Sequence, residues 1–170
     1  MSIKAIETRY NGYKFRSRLE ARYAVFFDKF GMSWEYEPEG FSLSNPHQDD
    51  SCKFSSLINY LPDFRISLFG LIMWAEVKPE EFCGIELYKA NLLCCCDRRP
   101  VLLLVGTPEI KPYSYLHYQE SNCWGNGYDC PLGGGEYSIE RVTSPLHYMK
   151  QFPLAIEAAR SARFEHGQCG

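Results

Sequence analysis

The chain has no run of about 18 consecutive apolar residues, the length a membrane-spanning helix needs. Its opening, MSIKAIETRYNGYKFRSRLEAR, lacks the apolar stretch of a secretory signal, so the expected location is the cytoplasm and no membrane partner is expected. No C-x2-C pair occurs among its 8 cysteines, which removes the usual spacing of a structural zinc or iron–sulfur site. Cys123 and Cys130 leave a weaker metal reading open, while Cys94, Cys95 and Cys96 stand side by side and read as thiols of a reducing compartment. Excess positive charge is missing too: the formal net charge is -3, so bulk charge alone does not announce a nucleic-acid binder. There is no internal repeat or low-complexity tract, which excludes solenoids and disordered linkers.

What is present is an ordinary globular composition of 170 residues, 45% hydrophobic and 15% aromatic, enough for one domain spanning 1–170. The charge is unevenly placed. Lys4, Arg9, Lys14, Arg16, Arg18, Arg22 and Lys29 outnumber Glu7, Glu20 and Asp28, leaving +4 over residues 1–30, and residues 31–62 are acidic apart from Lys53. A basic face of this kind tracks a phosphate backbone or is simply a solvated helix face; charge counting leaves both open.

Residues 17–30 carry Leu19, Tyr23, Phe26 and Phe30 at helical spacing, with Gly31 as a stop, and predict a helix. MSWEYEPEGF alternates Trp34 and Tyr36 against Glu35 and Glu37, as a strand with one wet face does, and Pro38 ends it. Residues 42–56 lack periodicity and read as an inserted loop, with His47, Asp49 and Asp50 as solvated groups. A second helix is expected over 84–97, and VLLLVG at 101–106 suits a buried strand. Residues 107–135, rich in Tyr, Gly and Pro, read as irregular; EYSIERV is a late strand, and residues 153–166 form a closing helix. Strand, helix and buried strand in sequence make a crossover unit, hence an α/β fold with a mixed sheet.

The stretch YLPDFRISLFGLIMWAEVKPE, residues 60–80, sets Asp63, Glu76 and Lys78 inside apolar strands, where an unpaired carboxylate is heavily penalised. With a turn at Phe69 and Gly70, antiparallel pairing places Asp63 opposite Glu76. Cross-strand Cβ atoms lie about 4.5–5.5 Å apart, close enough for both carboxylates to grip one divalent cation. Lys78 shares the face of Glu76, next to that cation and any phosphate it holds. A one-residue slip would turn Asp63 to the other face.

Pro62-Asp63, then Glu76, one residue and Lys78, preceded by a helix bearing Glu20 and followed by a helix and VLLLV, resembles the PD-(D/E)xK nuclease superfamily. The opening and the AIEAARSARFEHG ending look like its small single-domain phage- or prophage-encoded members. The resemblance implies a restriction-endonuclease-like fold and an Mg2+- or Mn2+-dependent endonuclease, most naturally of DNA, working in the host-cell cytoplasm. It implies Asp63 and Glu76 as cation ligands, with Glu20 and the Val77 carbonyl completing the shell, and Lys78 as the group that orients water or stabilises charge on phosphorus. Arg16, Arg18, Arg22 and Lys89 are the candidate nucleic-acid contacts. Two alternatives accompany these residues: Glu20 also completes a capping box with Ser17, and Lys89 is equally a surface lysine. The competing reading of the whole chain is a non-catalytic module of the same fold that binds a host protein or a nucleic-acid end; a homodimer stays open.

Overall fold

Two turns at which both central residues have positive φ organise the strand pairing. Asn11 (φ 47°) and Gly12 (φ 82°) join β1 (Thr8–Tyr10) to β2 (Tyr13–Phe15), and Phe69 (φ 51°) and Gly70 (φ 82°) join β6 (Phe64–Leu68) to β7 (Leu71–Lys78). Positive φ at both positions marks the type I′ turn, whose twist matches that of a hairpin. The computed structural model describes residues 6–44, 57–109, 113–118, 137–142 and 150–164.

The remaining elements are α1 (Arg18–Phe30), β3 (Ser33–Tyr36), β4 (Phe41–Leu43), β5 (Ile58–Tyr60), α2 (Gly84–Asp97), β8 (Val101–Val105), β9 (Tyr113–Tyr118), β10 (Tyr137–Val142) and α3 (Gln151–Ser161). Six strands form one mixed sheet in the order β10-β9-β8-β7-β6-β3, and β1-β2 and β4-β5 form separate two-stranded sheets. Within the large sheet β7 and β8 run parallel, with α2 as the crossover between them, and the other neighbours are antiparallel. An α/β fold with a mixed sheet is therefore present as expected.

Side-chain alternation along β6, β7 and β8 builds two cores. Phe64, Ile66, Ala75, Val77 and Leu104 face α1 and α3, where Phe27 meets Phe64 at 5.3 Å and Phe152 meets both Phe26 and Phe30 at 5.5 Å. Trp74, Val101 and Leu103 face α2 and the β4-β5 ribbon, through Ala90, Leu93 and Leu43. Each buried Phe, Ile, Leu or Val among them contributes roughly 1.5–3 kcal/mol. The Trp74 indole N–H donates to Asp97 and ties the end of α2 to β7.

Several boundaries differ from the expectations. Residues 107–135 are not irregular throughout, because β9 pairs with β8 there; its tyrosines serve a ladder that turn-forming neighbours conceal. Of the loop expected over 42–56, Ser42 and Leu43 instead belong to β4 and pair with Asn59 and Ile58, and residues 45–56, with His47, Asp49 and Asp50, lie outside the described residues. Tyr60 closes β5 rather than opening the central hairpin. Helix α3 begins at Gln151 and ends at Ser161, earlier at both ends than expected. Cys123 and Cys130 lie outside the described residues; Cys83, Cys94, Cys95 and Cys96 are free thiols. Among the described residues no helix is long and apolar enough to cross a membrane.

Candidate functional site

The register of the central hairpin decides what its charged residues meet. Phe64 pairs with Ala75 at the end of the ladder, so Asp63 and Glu76 are the next residues beyond it on the two segments, and the Glu76 charge acts on Asp63. Both are buried, at 2% and 5% exposure. Asp63 accepts the Val77 backbone N–H on Oδ2 at 2.8 Å and the Arg16 Nη2 on Oδ1 at 2.6 Å. Glu76 holds Lys78 Nζ at 2.8 Å on Oε1 and accepts the Tyr60 hydroxyl at 2.8 Å on Oε2. Lys78 thus shares the face of Glu76, and its ammonium also lies 3.8 Å from Glu86 at the start of α2.

Glu20 reaches the same pocket from the first turn of α1. Ser17, the N-cap, accepts the Glu20 N–H at 3.2 Å and donates its hydroxyl to Glu20 Oε1 at 2.7 Å. Glu20 Oε2 accepts the Tyr36 hydroxyl at 2.6 Å and the Arg16 N–H at 3.1 Å. The cap is thus real, although Glu20 closes back on the backbone of Arg16 where a simple capping box predicts that of Ser17. Capping and pocket roles coexist in one buried carboxylate.

Arg16, in the short connection between β2 and α1, links the cluster. Its Nε lies 2.7 Å from Glu37 Oε1, an ion pair without hydrogen-bond geometry. Glu37 sits in the left-handed region (φ 44°), a conformation costing a non-glycine residue about 1 kcal/mol, and is anchored there by its N–H on the Asp63 carbonyl at 2.9 Å.

Arg16, Glu20, Tyr60, Asp63, Glu76, Lys78 and Glu86 line an open pocket of about 770 Å3 together with Arg18, Lys89, Ile6 and Leu61, and Tyr36 and Glu37 hold Glu20 and Arg16 from behind it. Of the expected nucleic-acid contacts, Arg16, Arg18 and Lys89 are on its wall. Arg22 is not, and its Nε is buried without a hydrogen-bond partner. Tyr36, Tyr60, Glu37 and Glu86 are the members that sequence reading misses; each enters through a hydroxyl or carboxylate meeting a residue far along the chain or across an ion pair, and no spacing rule marks such a contact.

The electrostatics follow from burial. Removal from water, then the charge of Glu76, pushes the Asp63 carboxyl up to about 8, against the pull of the Val77 N–H and Arg16. Burial works against the Lys78 ammonium, but its hydrogen bond to Glu76 and the carboxylates nearby outweigh it, so its pKa is raised. Burial and the acceptor Glu76 raise the Tyr60 hydroxyl, and burial and Glu20 raise that of Tyr36, so both stay donors. Among the described residues no three His, Cys, Asp or Glu side chains are gathered as a ready-made metal cage. Arg16 and Lys78 hold the positions beside Asp63 and Glu76. No family model, curated protein or solved structure matches the chain.

Proposed function

We propose that the protein is a metal-dependent nuclease of PD-(D/E)xK type, a single domain of restriction-endonuclease-like architecture that hydrolyses phosphodiester bonds of nucleic acid, DNA foremost. One observation carries the reading: Asp63 and Glu76, both buried, line one open pocket, with Lys78 bonded to Glu76. Arg16, Arg18 and Lys89 on the pocket wall supply the positive charge that a phosphate backbone requires.

The donor set fits Mg2+ or Mn2+. Every candidate ligand is a hard oxygen, and the Asp63 carboxyl, crowded by Glu76 and cut off from water, takes up a proton where a cation would serve better. Mg2+ typically keeps several waters and needs one or two carboxylates, which Asp63 and Glu76 provide with the Val77 carbonyl. Glu20 adds negative charge from the wall, its oxygens being engaged by Ser17, Tyr36 and Arg16. A bound divalent cation supplies Lewis acidity toward a phosphate oxygen and a more acidic water. Lys78, held charged by Glu76, donates to the oxygens on which negative charge grows, the interaction that matters most in the transition state. Tyr60 fixes the carboxylate of Glu76 through its hydroxyl. The family resemblance implies 5′-phosphate and 3′-hydroxyl products.

The test is incubation with single-stranded, duplex and branched DNA and with RNA, in Mg2+, Mn2+ or chelator. Metal-dependent products that vanish in Lys78→Ala support the proposal; intact substrates under every metal sink it. The non-catalytic reading has one observation of its own: Arg16 and Lys78 already neutralise Asp63 and Glu76, as a purely structural cluster requires. It predicts binding to a nucleic acid or a host protein without cleavage.

A further inference from the structure

Arg16 is fixed at its backbone and loose at its tip. Its N–H donates to Glu20 Oε2 and to the Tyr36 hydroxyl, both at 3.1 Å, so the main chain is pinned one residue before the N-cap of α1. Its side chain is 56% exposed and reaches down to Asp63, which is only 3% exposed. There it makes one contact through Nη2, at 2.6 Å, rather than the two-pronged fork that arginine forms with a carboxylate when it is held firmly. The other anchors are weaker: Nε to Glu37 without hydrogen-bond geometry and Nε to the Tyr36 hydroxyl at 3.4 Å. Asp63 Oδ2 accepts the backbone Val77 N–H and Oδ1 carries Arg16, so a ligand added at Oδ1 meets a side chain that can move rather than a strand that cannot. Lys78 differs, because its side chain is 27% exposed and sits between Glu76 and Glu86.

We infer that Arg16 is an exchangeable occupant of Asp63 Oδ1, seated there in the cation-free protein and passing to a substrate phosphate when a divalent cation takes its place. The inference rests on the metal-dependent nuclease reading and adds its regulation: a cation binding at Asp63 releases a phosphate-binding arginine onto the pocket wall. Glu37, whose N–H is anchored on the Asp63 carbonyl, keeps its ion pair to the Arg16 Nε when Nη2 leaves Asp63. By linkage, whatever Arg16 gains from nucleic acid in the presence of cation appears equally as tighter cation binding in the presence of nucleic acid.

The test measures two affinities in wild type, Arg16→Ala, Arg16→Gln and Arg16→Lys, each checked for folding by circular dichroism. Mg2+ binding is followed by calorimetry at pH 8.5. Binding of a short fluorescent DNA is followed in Ca2+ and in chelator, with the DNA recovered intact. Loss of the competing charge is expected to tighten Mg2+ binding about tenfold in the Ala and Gln variants, with Lys near wild type. The same two variants should lose about tenfold in DNA affinity in Ca2+, with a salt slope lower by about 1, yet change little in chelator. A static structural role predicts weaker Mg2+ binding, or an equal loss of DNA affinity with and without cation; either result overturns the inference while leaving the nuclease reading intact. Folded wild type and variants that all fail to bind Mg2+ would overturn both.

Discussion

The two ends of the β6–β7 hairpin reverse the usual placement of side chains. At the tip Phe69, Leu71 and Ile72 are exposed, Phe69 to 81%, whereas at the base Asp63 and Glu76 are 2% and 5% exposed. Strands and register are the same, so the contrast reflects what each end packs against. Among the described residues no layer covers the tip; the base lies beneath the first turns of α1 and α2 and is lined by Arg16, Tyr60 and Lys78. These partners satisfy the buried carboxylates, but they do not account for them: a well-packed apolar cluster is often as stable as a buried ionic one, or more so. On the proposed reading the charge at the base serves a bound cation, and the tip is free to change.

The sharpest way to break the comparison is substitution at the base. Lys78→Ala should reduce cleavage by about 10^2-fold or more, about 3 kcal/mol in the transition state, while DNA binding in Ca2+ shifts only modestly. Assays of both quantities on one preparation check this. Next in size is a pH effect in cation-free protein. The folded state holds the Asp63 proton up to about 8 against an ordinary 3.8, so this stabilisation is complete below about pH 4, is lost as pH rises, and is gone above about pH 8. Urea melts across that range should show a loss on the order of a few kcal/mol that Asp63→Asn flattens.

Saturating Mg2+ or Mn2+ should stabilise wild type by about 2.7 kcal/mol at a hundredfold excess over Kd, a shift that thermal melts of Asp63→Ala should lack. Glu20→Gln should cost about 1 kcal/mol in stability, because an amide cannot replace the carboxylate toward Ser17, Tyr36 and Arg16 together, and should reduce cleavage several-fold. The smallest effect belongs to the tip. Phe69→Asn places a residue tolerant of φ 51° before Gly70, and should raise stability by about 0.5 kcal/mol with cleavage unchanged, as chemical denaturation and the same assay would show.

The hairpin base was legible because Phe69-Gly70, a period of two and three misplaced charges all depend on one local register. Helix α1 was legible through its apolar stripe, and its Ser17 and Gly31 caps are where they were expected. The β1-β2 hairpin carried its own signal, Asn11-Gly12, but strands of 3 residues are too short to show alternation. Strands β4 and β5 pair across the stretch that separates them, so neither predicts the other. Tyr60 and Arg16 belong to the site through a hydroxyl and a guanidinium that arrive from other elements, Arg16 from 47 residues before Asp63. Only the assembled fold brings them there.

If Asp63 and Glu76 form a site for a hard divalent cation, crystals soaked in Mn2+ should show an anomalous peak about 2.1 Å from carboxylate oxygens of both residues, with Arg16 moved away from Asp63. A soaked crystal with no peak there, and with Arg16 and Lys78 still seated on the two carboxylates, would contradict it.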